Sequence, residues 1–363
     1  MTKLQDLYRE HGQSPWLDNL RRGWITSGEL QALIDSGIRG ITSNPTIFQK
    51  AITGEDSYDA QFRSLMADGA TLDDAYWSLV VRDIESALAL LRPTYDESDG
   101  ADGYVSVEVA PGLAHDTEGT IAQARELHER IDEPNVMIKI PGTAEGLPAI
   151  EQMIAEGRSI NVTLLFGLER YAEVMEAYLR GLERAAGDLS QTASVASLFI
   201  SRVDTEVDRR LTEIGTPEAL ALKGKVAVAN GQLAYELFEQ TFTGPRWEAL
   251  AARGAKVQRP LWASTGTKDP SYPTTLYVDS FIGPNTVNTM PDATIEAFVA
   301  EGTLARTVDA DYDAARAVLA DAAEVGIDLA DVVRVLEEEG VASFSKSFDE
   351  LLGALDTKRD QFG

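Results

Sequence analysis

The sequence contains no cysteine. Disulfides, thiolate nucleophiles and cysteine-held metals are therefore excluded, and such a chain fits a reducing compartment. Histidine is nearly as scarce, with only His11, His115 and His128 present. His115 and His128 fall in or beside one polar helical stretch without ligand spacing, so we read them as surface residues and expect no metal. No apolar run reaches the roughly 18 residues that suggest a membrane span. The opening MTKLQDLYREHGQ lacks the apolar segment of a signal peptide. Together these point to a cytoplasmic protein. Positive charge is also in deficit, with 32 Lys and Arg against 59 Asp and Glu, a net charge of -27. That balance opposes binding to nucleic acid or to an anionic membrane. An anionic ligand would need a local cationic spot against this background. Neither G-x-G-x-x-G nor G-x-x-x-x-G-K-[ST] occurs, so the common phosphate-binding turns are missing and no cofactor is expected.

What the chain does have is alternation. Eight strand-like runs occur at 15–20, 37–44, 103–111, 135–142, 159–166, 193–201, 258–264 and 285–291. Helical patterns separate them. TSGELQALIDSG offers Thr26 and Ser27 as caps and ends at Gly37. DTEGTIAQARELHERI puts Ile121, Ala124, Leu127 and Ile131 on one face. Eight strands alternating with helices suggest a (β/α)8 barrel, with an open doubly wound sheet as the alternative. We expect a single barrel domain over 1–363. Extra helices are inserted at about 45–100, and a helical tail at about 328–362 could fold back across the barrel.

One strand carries an unexpected residue. In PNVMIKIPG (134–142), Lys139 interrupts an otherwise apolar run. A lone lysine usually sits on a solvated edge, because lysines are rarely buried unless paired. Yet a continuous apolar run marks a strand covered on both faces. Alternation places Met137 and Lys139 on one face, and Ile138 and Ile140 on the other. From the strand alone, a solvated lysine and a functional amine both stand.

The other strands bear on the choice. A barrel carries its active site at the C-terminal ends of its strands. The strands offer polar residues near these ends: Asp18 on the first; Thr42, Ser43 and Asn44 ending the second; Glu108 on the third; Lys139 on the fourth; Asn161 and Thr163 on the fifth; Ser197 on the sixth, with Arg202 just after; Ser264 ending the seventh, with Lys268 in the next loop; Asn285, Asn288 and Thr289 on the eighth. An unpartnered buried charge costs several kcal/mol, so a lysine converging with two carboxylates is a natural arrangement. With thiol, metal and cofactor chemistry absent, the amine of Lys139 is the best nucleophile left. A desolvated lysine beside another cation can supply free amine at neutral pH and form a Schiff base with a ketone. The protonated imine is an electron sink, which lets a neighbouring C–C bond break. The residues thus suggest a class I aldolase type of site.

Two motifs go further. GITSNPTIF (40–48) and VMIKIPGTAEGLPA (136–149), in this order, resemble the signatures of the transaldolase family, and the resemblance extends over essentially the whole chain. The resemblance implies Lys139 as the Schiff-base lysine and Asp18 as the acid/base for C3–C4 cleavage. It implies that Glu108 and Thr163 hold a proton-relaying water. Asn44, Asn161 and Ser197 would bind the dihydroxyacetone hydroxyls, with Thr42 and Phe199 also in the site. Arg202 and Ser264 would hold the sugar phosphate. Where better-known members have a second phosphate-binding arginine, this chain has Gly266; Lys268 either replaces it or is a plain loop lysine. The TSNP turn has a local reading as well, with Asn44 as helix cap and Pro45 at the first helical position.

The implied reaction transfers a dihydroxyacetone unit between sugar phosphates. The alternative is a fructose-6-phosphate aldolase, which releases dihydroxyacetone. Those relatives carry glutamine at the Glu108 position and tyrosine at the Phe199 position, so both residues here favour transfer. A barrel that binds sugar phosphate without turnover would lack an acid or the amine, whereas Asp18, Glu108 and Lys139 are all present. The expected partners are sugar-phosphate substrates, and the chain is read as a monomer or homodimer.

Overall fold

The structure is a computed structural model that describes residues 1–362. Eight parallel strands close into a barrel in chain order: β1 (Gln13–Leu17), β2 (Gly40–Thr42), β3 (Tyr104–Glu108), β4 (Val136–Pro141), β5 (Ile160–Leu165), β6 (Ser194–Phe199), β7 (Arg259–Ala263) and β8 (Thr286–Met290). Closure decides between barrel and open sheet: β1 pairs with β8 from Gln13↔Thr286 through Leu17↔Met290, leaving no edge. The apolar runs form strands because both of their faces are covered. On β4, Met137 turns inward with Trp16, Tyr104, Val195, Leu261 and Val287. Ile138 and Ile140 turn outward into the core shared with the helices. Trp16 fills the barrel against β2, where a Cβ on Gly40 would lie 2.3 Å from its ring, so only glycine fits.

Charge closes the end of the barrel where the strands begin. Asp102, fully buried, accepts hydrogen bonds from Ser14 Oγ at 2.7 Å, Arg39 Nε at 2.8 Å and Arg259 Nη2 at 3.0 Å. Three residues, Ser14 second in β1, Arg39 just before β2 and Arg259 first in β7, are thereby tied to one carboxylate.

Between β2 and β3 the chain adds helices Pro45–Gly54, Asp59–Ala67 and Leu72–Glu97. A buried clip secures them: Asp83 accepts from Arg22 Nε and from Tyr58 OH, both at 2.7 Å. The final helix, Leu329–Phe362, packs on Pro45–Gly54, on Ile200–Ile214 and on β5. It therefore crosses the end of the barrel where the strands finish. Among the described residues no helix is long and apolar enough to span a membrane.

Three local details differ from the sequence reading. Thr26 and Ser27 end a short helix, Arg22–Ser27, rather than starting one. Gly28, at φ 86, breaks the chain there before Glu29–Asp35, a left-handed turn that glycine adopts without steric cost. β1 stops at Leu17, so Asp18 sits just past the strand. Asn285 precedes β8 and lies at the closed end, far from any site at the mouth.

Candidate active site

The strand ends converge on a cavity of about 130 Å³. Asp18, Thr42, Asn44, Lys139, Thr163, Ser197, Phe199, Arg202, Ser264 and Lys268 all line it. Glu108 and Asn161 stand behind this wall.

Register brings the central pair together. β3 and β4 pair with Glu108 opposite Lys139, so both side chains leave the sheet on the same side. Glu108 Oε2 lies 3.1 Å from Lys139 Nζ, with both side chains almost fully buried. Nζ donates to Ser43 O at 3.0 Å. Beyond its ion pair with Lys139, Glu108 Oε2 has no further protein partner. Burial pushes the Glu108 carboxyl up from its ordinary range, and the positive charge of Lys139 opposes that shift. Thr163 Oγ1 is buried without a protein partner. It sits beside a bulge, where Leu164 takes φ 59 and the β5–β6 register shifts.

Asp18 occupies another wall. It accepts from Thr42 Oγ1 at 2.8 Å, and Thr42 Oγ1 in turn lies 2.6 Å from Thr289 Oγ1. Burial pushes its carboxyl up; the Thr42 hydrogen bond, Lys139, Arg202 and Lys268 oppose the shift. A carboxyl so placed holds a proton more readily than one in water, as proton-transfer chemistry requires.

Asn161 is opposite Lys139 on the next strand, yet both ends of its amide are occupied. Its Nδ2 donates to Ser106 Oγ at 3.0 Å, and its Oδ1 accepts from Ser197 Oγ at 2.7 Å. It therefore orients Ser197 from beneath and does not reach the cavity wall itself. Asn44 caps a helix and also lines the cavity. Its Oδ1 accepts from Ile47 N at 3.0 Å. The side-chain oxygen, as well as the backbone, makes the cap, which leaves the amide nitrogen for a ligand.

The cationic end is built from two elements. Arg202 opens the helix after β6 and makes no ion pair among the described residues. Its guanidinium lies 5.2 Å from the Phe199 ring centre and 5.8 Å from that of Phe344. Burial pulls its pKa down, opposed by Asp18, Glu108 and Glu339. Ser264, at φ 56, pairs with Ser201 Oγ at 2.8 Å. Lys268 completes the wall beside Gly266. An unpaired guanidinium and a lysine in so acidic a chain form the local cationic spot an anion needs.

Phe344 and Thr289 also line the cavity. Thr289 stands out as polar on a strand, but its hydrogen bond to Thr42 depends on closure of β8 onto β1. Phe344 lies 205 residues past Lys139 in an amphipathic tail, and nothing local marks it.

A closed barrel whose mouth holds a buried amine, two carboxyls with raised proton affinity and a free guanidinium is the site of a barrel enzyme whose strongest nucleophile is lysine. Comparison with known proteins makes the family specific. The chain matches the family described as transaldolase/fructose-6-phosphate aldolase over residues 15–355, and it belongs to that family. It is 54% identical over 357 residues to a transaldolase of Parafrankia sp. (strain EAN1pec), covering 97% of this chain and 96% of the relative. It is 54% identical over 354 residues to one of Thermobifida fusca, covering 96% of each. It is 51% identical over 354 residues to one of Mycolicibacterium smegmatis, covering 96% of this chain and 95% of the relative. The chain is an enzyme of the transaldolase type.

Proposed function

We propose that the chain transfers a dihydroxyacetone unit from a ketose phosphate to an aldose phosphate through a Schiff base on Lys139. The donor–acceptor pair we assign is sedoheptulose 7-phosphate with glyceraldehyde 3-phosphate, giving erythrose 4-phosphate and fructose 6-phosphate, in the cytoplasm. The observation that carries this reading is the Lys139 amine, buried at the cavity wall within 3.1 Å of Glu108.

The steps follow from what each group touches. Glu108 takes the proton from the ammonium, and the free amine attacks C2 of the ketose to form a carbinolamine. Loss of water gives the protonated imine. Glu108 Oε2, whose protein contact is the ion pair with Lys139, and Thr163 Oγ1, buried without a protein partner, supply polar contacts for a water that relays these protons. A buried polar group with no partner costs about 1–3 kcal/mol, which favours such a water. Asp18 then removes the C4 hydroxyl proton. The C3–C4 bond breaks, its electrons pass into the imine to give an enamine, and the first aldose phosphate departs. The acceptor aldehyde enters, the enamine carbon attacks its carbonyl carbon, and Asp18 returns the proton to the new alkoxide. Hydrolysis of the imine releases the product and restores Lys139. Thr42 orients Asp18, while Asn44 and Ser197 face the substrate hydroxyls. Arg202, Ser264 and Lys268 hold the phosphate, and Phe199 backs the guanidinium.

The test is to incubate the enzyme with fructose 6-phosphate, reduce with borohydride and locate the added mass. A three-carbon adduct on Lys139, absent from Lys139→Arg, is the expected result, since guanidinium stays protonated and cannot attack. An adduct on another lysine overturns the assignment. Free dihydroxyacetone as the main product would move the enzyme to the aldolase reading.

A further inference from the structure

The helix that carries Arg202, Ile200–Ile214, also carries two buried aspartates that the reaction does not use. Asp204 and Asp208 stand one turn apart and share a face. With Lys268 they line a second cavity beside the barrel mouth, so Lys268 borders both. Each aspartate holds one backbone nitrogen and one tyrosine. Asp204 accepts from Ala227 N and from Tyr277 OH, both at 2.8 Å. Asp208 accepts from Gly224 N at 3.1 Å and from Tyr272 OH at 2.6 Å. Both tyrosines belong to the segment after β7 that carries Lys268.

The chain between Lys268 and Tyr272 is itself stiff. Tyr272 N donates to Asp269 O at 3.1 Å, closing a turn with Pro270 at its second position. Asp269 Oδ1 accepts from Ser271 N at 2.9 Å and from Ser271 Oγ at 2.7 Å, which locks the turn locally. Lys268 directly precedes this turn, so the position of Tyr272 sets that of Lys268. On its far side the Tyr272 ring lies over Gly224, whose φ is +72 and whose added Cβ would come within 2.9 Å of it. Glycine there supplies both the left-handed turn and room for the ring.

We propose that Asp208–Tyr272 and Asp204–Tyr277 form a double latch that clamps the loop after β7 onto the Arg202 helix and so presents Lys268 beside Arg202 to the substrate phosphate. The two aspartates and two tyrosines are positioning residues and do not touch the substrate. The inference rests on the phosphate-site reading above and adds how that site is held. Lys268 is the only cation between Ser264 and Tyr272, and a lysine on a loose loop must be ordered anew each time ligand binds. Preorganisation by the latch removes that cost, so its loss weakens binding of the phosphate rather than the chemistry at Lys139.

The test uses the full chain, inorganic phosphate as the probe, and the variants Tyr272→Phe, Lys268→Ala and their combination. Tyr272→Phe removes one hydrogen bond on a half-buried ring and keeps its packing. It is expected to weaken phosphate binding about three- to tenfold and to raise KM for fructose 6-phosphate by a similar factor, with kcat within about twofold. In the Lys268→Ala background Tyr272→Phe should have no further effect, because the residue it positions is gone. Unchanged phosphate affinity in Tyr272→Phe overturns the latch, and so do losses that multiply in the double variant. Failure of the transfer reading is separable. If the wild-type chain forms no adduct on Lys139 but phosphate binding still follows Tyr272, the reaction falls and the latch stands. If the wild-type chain binds no phosphate, the latch falls with the anion site.

Discussion

Glu108 Oε2 lies 3.1 Å from Lys139 Nζ across neighbouring strands, and both side chains are buried. Each is tolerable inside the barrel because of the other, and the pair keeps an amine and a proton acceptor in contact at the cavity wall. Glu108→Gln keeps the shape and removes the acceptor. Formation of the borohydride-trapped adduct should slow by about 10²-fold or more, the range for a lost general acid/base. Quench-flow mass spectrometry of the Lys139 peptide checks it, and trapping at the normal rate would leave Glu108 as a charge partner only.

Asp18 acts after the imine has formed. Asp18→Ala should therefore trap fructose 6-phosphate uncleaved, as a six-carbon adduct on Lys139, while transfer falls by about 10²–10⁴-fold. The adduct mass distinguishes the outcomes. A three-carbon adduct formed at the normal rate would remove Asp18 from the cleavage step.

Arg202→Ala should raise KM for phosphorylated ketoses well above any change for unphosphorylated ones. A charge-assisted contact is worth about 1.5–3 kcal/mol, or roughly 10- to 150-fold. Lys268→Ala should show the same selectivity to a smaller degree. Steady-state kinetics with fructose 6-phosphate and fructose compare the two; equal losses with both sugars would make Arg202 structural.

Asp102→Ala leaves Arg39 and Arg259 without their buried partner at the closed end of the barrel. Breaking a buried pair costs about 3–5 kcal/mol, so the urea midpoint should fall sharply. A change below about 1 kcal/mol would mean that the two arginines reach solvent instead.

Burial raises Asp204 from the ordinary 3.8 to about 6, against the opposing hydrogen bonds from Ala227 and Tyr277. Between about pH 4 and 6 the folded protein keeps a proton there that the unfolded chain has released. Folding takes up that proton, so this group's contribution to stability grows as pH falls through 6 and is lost as pH rises. The difference is worth roughly 3 kcal/mol. Wild type should therefore gain on Asp204→Asn as pH falls from 7.5 to 4.5 in urea unfolding. A difference that stays constant with pH would show that Asp204 does not titrate in this window.

The sequence by itself determined the eight strands, because apolar runs bounded by turn residues and helices read the same wherever they pack. It also determined which face of β4 carries Lys139, since alternation along a strand is local geometry. The two motifs, GITSNPTIF and VMIKIPGTAEGLPA, marked the family from residues alone. Other features came only with tertiary structure. The Glu108–Lys139 contact depends on the register of β3 against β4, and the Thr42–Thr289 contact on closure of β8 onto β1. Asn161 looked like a wall residue, yet bonds to Ser106 and Ser197 from two other strands hold it beneath. Asn285 belonged to the right strand pattern but lies at the wrong end, because a run of residues does not show where its hydrogen-bonded ladder starts. Phe344 reaches the cavity only because the last helix crosses the barrel, and the tyrosines reach Asp204 and Asp208 only because the loop after β7 lies against the Arg202 helix. Local preferences fix elements and faces; contacts between residues far apart in the chain are fixed by packing the whole.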